Sequence, residues 1–423
     1  MLVSIFIIAF FQYLIISIGA KKAFFAFFIY SFIDSGYSVV GPISLEVIIL
    51  FLFFVHFVFV DKERSKGKYI FKICTLCTVV SYFISTFLSP YPHLPMTIIR
   101  VFSIFLPSYL MFHYIRNGDD INRLINMMIV LVYLLFLYSI FELAIGSSPI
   151  IDFINDHNEA GYNLDDVYRY GIKRVQGTFT HATGLAYFAV VITAFLLLYV
   201  NGLIKSKTMK LRLNIAVFFL IVIVFLTGTR SCIVPLVAVL AYNLKERVNK
   251  VVIVLFIAVM IIVIPYILTT STYFSEIFNS IVDTDTDAVG SSQSMREEQF
   301  MISFSYMLQR FWVGWGYGMT FEHVTPIHPE MFGAESAWMP IMIDRGFFGC
   351  LSYLVCYIEV FWRIKKEFFK SLFFVLVLLF INTSTSTPGL DESFFLCMTV
   401  IIYKIYTISN HDKDKVQCYS ARI

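Results

Sequence analysis

Thirteen apolar runs of near-membrane length dominate this sequence. They cover residues 2–19, 23–40, 43–60, 69–89, 95–114, 124–145, 181–200, 211–227, 231–244, 251–268, 337–362, 371–388 and 391–407. A helix needs about 20 apolar residues to cross the hydrocarbon of a bilayer. The run 23–40 is interrupted by Asp34 and Gly36, and 231–244 is short. About 11–13 spanning helices are therefore expected. The expected fold class is all-α, a polytopic integral membrane protein with one membrane domain over residues 1–423. Composition agrees, since 14% of the residues are charged against about 25% in soluble domains. The net charge of +3 gives no reason to expect a nucleic-acid partner. The first run lacks a basic leader and a small-residue cleavage site, so it reads as a retained span.

Loop charges orient the spans. The stretches "DKERSKGK" (61–68), "KSKTMKLR" (205–212), "KERVNK" (245–250) and "RIKKEFFK" (363–370) are basic. Cytoplasmic loops collect Lys and Arg, so these four and the tail after 407 are expected on that side. The long segments 146–180 and 269–336 then share the opposite, outer face. Loops of this length are usually functional or disordered. The seven cysteines, Cys74-x-x-Cys77 among them, show no second zinc-type pair and no disulfide framework.

Charges near these spans are costly and carry the functional reading. "YRYGIKRVQGTFTHATGLAYF" sets Arg169, Lys173 and Arg174 before a span that His181 opens. Either these cations meet lipid headgroups or Arg174 grips a phosphate. "LTGTRSCIVPL" places Arg230 between two spans, where an Arg snorkels outward or faces an aqueous cavity. "SMREEQFMISFSYML" reads as an amphipathic helix that points Arg296 into the space reached by Glu335. "GWGYG" (314–318) lacks the context of a dinucleotide loop, and Trp312, Trp315 and Tyr317 suit an interfacial belt or a sugar-stacking platform. Asp283, Asp285 and Asp287 fail as a calcium loop, because Ala288 and Ser294 stand where Gly and Glu are needed. His323 and His328 make a weak metal case, though either has the chemistry of a general base. Finally, "ESAWMPIMIDRGFFG" opens a span with Glu335 and buries Asp344 and Arg345 in it. Glu335 reads as a helix-start carboxylate or as a base among cations. Asp344 and Arg345 must satisfy each other or partners in the bundle.

The order of "GTFTHATGLAYF", "LTGTRS", "SMREEQF…FWVGWGYG" and "ESAWMPIMIDRGFFG" resembles the bacterial O-antigen polymerase (Wzy-type) and O-antigen ligase superfamily, over roughly residues 170–350. The resemblance implies a GT-C-like glycosyltransferase of the bacterial inner membrane. It would join undecaprenyl-diphosphate-linked oligosaccharide units at the periplasmic face, with a chain-length regulator as a further partner. It implies Glu335, Arg230 and Arg296 as catalytic residues, with Arg230 and Arg296 holding the diphosphate. Arg174, His181, His328 and Trp315 would contact substrate. No cofactor and no metal ion is expected, because arginines can neutralise the leaving group. Ligases of this superfamily typically carry a His about eleven residues before the glycine of the last motif. Glu335 stands there instead, which favours a polymerase. A ligase remains the first alternative. A flippase or other transporter is the second, but its charges would spread through the span centres. An assembly scaffold is the third.

Overall fold

The computed structural model describes residues 2–31, 38–40, 43–61, 67–157, 168–169, 172–179, 181–204, 206–245, 293–331, 333–384 and 392–420. The expected span 251–268, the acidic run 283–287 and Ser292 lie outside the described residues.

The fold is helical: α1 (Leu2–Ile18), α2 (Ala20–Tyr30), α3 (Leu45–Phe59), α4 (Lys72–Phe87), α5 (Leu94–Tyr114), α6 (Gly118–Ile145), α7 (Pro149–His157), α8 (Ala182–Phe195), α9 (Lys207–Leu226), α10 (Arg230–Lys245), α11 (Gln293–Gln309), α12 (Trp338–Ile364), α13 (Phe368–Ser384) and α14 (Glu392–Ser420). Two short antiparallel ribbons sit in connections: β1 (Ser38–Val40) with β2 (Ile43–Ser44), and β3 (Tyr168–Arg169) with β4 (Ile172–Lys173). Among the described residues, five helices are long and apolar enough to cross a membrane, and six shorter apolar helices accompany them. Large apolar side chains line the outside, Phe59 at 81% and Phe369 at 76% exposure. Such a surface belongs in lipid, not water. The chain is an all-α, multi-pass membrane protein.

The expected span 23–40 is corrected. Its helix α2 has 11 residues, about 16 Å of rise, and gives way to the β1–β2 ribbon. Phe24, Phe25, Phe27 and Phe28 are buried against neighbouring helices, including Phe53 of α3 and Tyr114 of α5. At the other extreme α8 and the π-helical turn Leu196–Val200 bury nearly every side chain. A helix apolar all round belongs in the centre of a bundle.

The seam between α4 and α12 positions the site. Small and hydroxyl residues line it: Ser81 Oγ meets Ser352 Oγ at 3.1 Å, and Thr78 Oγ1 meets Cys356 Sγ at 3.5 Å. Small residues let membrane helices approach closely, and their hydroxyls bond across the contact. The approach is close enough that Cys74 and Cys356 form a disulfide, with a Cα–Cα separation of 4.8 Å. The spacing of the cysteines indicated no disulfide framework, and this single pair among the described residues was not anticipated. One turn further on, the Glu359 carboxylate accepts the Cys74 N–H at 2.6 Å and the Arg363 guanidinium at 2.7 Å. It satisfies a free amide in the first turn of α4, where the helix dipole favours an anion.

Candidate active site

Arg296 and Glu335 meet. Arg296 stands in the first turn of α11, and both its Nε and Nη2 donate to Glu335 Oε2 at 2.5 Å. One turn along α11, the fully buried Gln299 fixes the register. Its Oε1 accepts the Glu335 N–H at 3.1 Å, and its Nε2 donates to Glu330 O at 2.6 Å. On the other side Ala337 N donates to Asn382 O at 2.9 Å, and Trp338 Nε1 donates to Thr383 Oγ1 at 3.3 Å. These bonds tie the start of α12 to the end of α13. Between them lies a cavity of about 320 Å³ with an apolar floor of Phe300, Met339 and Met342 and a polar rim of Arg296, Glu335, Ser336 and Thr383. The ion pair is open to solvent, with Arg296 at 44% and Glu335 at 25% side-chain exposure. An exposed pair of this kind contributes only about 0–1 kcal/mol, so a competing polyanion can displace it.

The buried charges that follow have a different task. α12 breaks at Gly346, where φ is 57° and ψ −150°, and the segment 311–320 docks against the break. Trp315 N and Gly316 N donate to Ile343 O and Asp344 O, each at 2.9 Å. In return Phe347 N and Phe348 N donate to Phe311 O and Trp312 O at 2.8 and 3.1 Å. The interruption thus exposes carbonyls and amides that the loop satisfies. Asp344 locks the arrangement: Oδ1 accepts from Thr320 N at 2.9 Å and Thr320 Oγ1 at 2.7 Å, and Oδ2 from Gly318 N at 3.1 Å. Arg345 instead lays its guanidinium over the Tyr82 ring of α4, 4.1 Å from its centroid. Of the two arrangements expected for Asp344 and Arg345, partners elsewhere in the bundle prevail.

Arg174 turns inward, its Nε donating to Thr227 O at 2.8 Å and its Nη2 to Thr229 Oγ1 at 3.0 Å. It braces the turn that delivers Arg230, the half-buried first residue of α10. Glu142, at the end of α6, holds the same region by accepting from Ser148 Oγ at 2.5 Å, Gln176 N at 3.1 Å and Gly177 N at 2.7 Å. His181 caps α8, its Nδ1 accepting the Thr183 N–H at 3.2 Å. His328 Nδ1 lies 3.1 Å from Glu330 Oε1. Trp315 donates its indole N–H to Tyr306 O at 2.9 Å and packs against a small methionine-rich core under the loop. None of Arg174, Arg230, His181, His328 and Trp315 lines the cavity. Gln299, Ser336, Thr383 and Asp344's clamp were not anticipated. Their signals were faint: a Gln one turn after Arg296, and the polar run "NTSTSTPG" where α13 ends.

No curated protein matches the chain significantly. The family model described as O-antigen ligase (Wzy_C) matches residues 215–354, the stretch carrying Arg230, Arg296, Glu335 and the broken helix. Over that stretch, about a third of its 423 residues, the chain is similar to the O-antigen ligase family.

Proposed function

We propose that the chain is a membrane glycosyltransferase that polymerises undecaprenyl-diphosphate-linked oligosaccharide units at the periplasmic face of the bacterial inner membrane. The observation that carries this reading is the solvent-open Arg296–Glu335 pair at the rim of an apolar cavity. A diphosphate offers Arg296 more charge and more acceptor oxygens than one carboxylate does. Its arrival frees Glu335 beside the bound donor. Glu335 then takes the proton of the acceptor hydroxyl as that oxygen bonds to the anomeric carbon, and the carbon–phosphate oxygen bond breaks. The leaving lipid diphosphate carries away the electron pair, its charge held by Arg296. The apolar floor suits the first part of a polyprenyl chain. Arg230 stands at the positive end of α10, an end that favours an anion, and serves as a second diphosphate ligand from outside the cavity itself. A carboxylate where ligases resembling this chain carry a His favours polymerisation. The ligase reading rests on the description of the matched family model.

The surface glycan of a deletion strain complemented with each variant tests the proposal. Arg296→Ala and Glu335→Gln are expected to slow chain growth by about 10²-fold or more, leaving single capped units. Arg296→Lys rescues in part, lacking the planar fork. Complete loss of surface glycan with accumulating lipid-linked polymer means ligase. Wild-type ladders at equal protein level in both variants refute the site.

A further inference from the structure

We propose that His93, Glu322 and His323 bind one divalent transition-metal ion of the zinc class. The site would join the α4–α5 connection to the π-helical turn Thr320–Val324. His93 Nε2 lies 3.0 Å from Glu322 Oε2, and one ligand atom from each of the three residues falls within 4.8 Å of the others. Ligands about 2.0–2.2 Å from a shared ion sit roughly 3–4 Å apart, so small side-chain rotations close the set. Two imidazoles and a carboxylate, with a fourth position open to water, are a zinc donor set; magnesium and calcium demand oxygen.

The backbones that present these side chains are already held. Ser89 Oγ donates to Trp315 O at 2.5 Å, and Arg310 Nη2 donates to Leu88 O, which fixes one loop against the other. Thr97 N donates to His93 O at 3.0 Å, and Glu322 N to Gly318 O at 3.0 Å. Asp344 anchors the turn through Thr320. The His323 ring stacks on Tyr91 with centroids 4.3 Å apart, which limits its rotation. Ligands on fixed supports need little ordering on binding, which is what a tight site requires. None of the three lines the Arg296–Glu335 cavity, so the ion would staple the outer segment without entering the chemistry proposed above.

The test uses the full chain in detergent, stripped with EDTA, and titrated with zinc by calorimetry and elemental analysis. One zinc per chain is expected, and magnesium at equal concentration does not compete. His93→Ala and His323→Ala each weaken binding about tenfold or more, while His328→Ala retains it. Zinc also raises the heat-inactivation midpoint of the native chain and not of His93→Ala. Where a histidine variant does not fold, Glu322→Gln supplies the same comparison and is expected to bind more weakly. Substoichiometric zinc in the native chain, or undiminished binding in the His93→Ala/His323→Ala double variant, overturns the proposal.

Discussion

Gly346→Ala is the sharpest test of how the segment 311–320 is held. A side chain at φ 57° and ψ −150° costs about 1–3 kcal/mol in backbone strain. The added Cβ would also lie 2.6 Å from Gly314 N and 2.6 Å from Phe311 O. Both neighbours are backbone, so no rotamer change relieves the clash. The loop and the helix break must part instead. Parting endangers four bonds: Trp315 N to Ile343 O, Gly316 N to Asp344 O, Phe347 N to Phe311 O and Phe348 N to Trp312 O. Each is worth about 0.5–1.5 kcal/mol net, so losing two brings the total to roughly 2–6 kcal/mol. That is a large fraction of the usual margin of about 5–15 kcal/mol. The assay is the fraction of a fluorescent fusion that stays monodisperse in detergent after heating. Gly202→Ala is the control, because nothing lies within 4 Å of a Cβ there. Gly346→Ala should lose several degrees of heat resistance and Gly202→Ala none. Equal midpoints for the two variants would show that the loop does not dock on the break.

Three further outcomes follow from the same contacts. Asp344→Asn should lower protein level, because all three groups facing the carboxylate are donors and an amide turns one of its own donors toward them; immunoblotting of membranes checks this. Arg174→Ala should also reduce heat resistance, by about 1–3 kcal/mol, by leaving the Thr227 carbonyl without this partner, and Arg174→Lys should restore only part, measured in the same assay. A cysteine placed at Ser292 should react with a membrane-impermeant maleimide added to cells with a permeable outer envelope, and reaction only after the inner membrane is opened would invert the proposed topology.

The helical class was legible because hydrocarbon demands long apolar segments, and nothing in water does. The amphipathic helix around Arg296 and the polar start at Glu335 were legible for the same reason, as breaks in an apolar pattern. What escaped the sequence depends on register between distant segments. Nothing in "GWGYG" announces that its amides will meet carbonyls some thirty residues on, although three alternating glycines mark backbone approaching backbone. The inward turn of Arg174 was hidden because its partners are a carbonyl and a hydroxyl fifty-odd residues away, and any turn offers those. The run 23–40 misled because phenylalanines that fill a protein interior are as apolar as those that face lipid. Cys74 and Cys356 are 282 residues apart, beyond any reading by spacing.

That separation has a consequence for biogenesis. The seam between α4 and α12 joins residues made far apart in time: Cys74 N with Glu359 across 285 positions, Ser81 with Ser352 across 271. At about 5–20 residues per second, α4 waits on the order of 15–60 s for the helix that completes it. Through that interval its hydroxyl face and first-turn amide have no α12 to meet. A ribosome that stops before α12 therefore leaves a membrane segment marked as unfinished by its own polar stripe, a form that quality-control proteases can distinguish from the completed bundle.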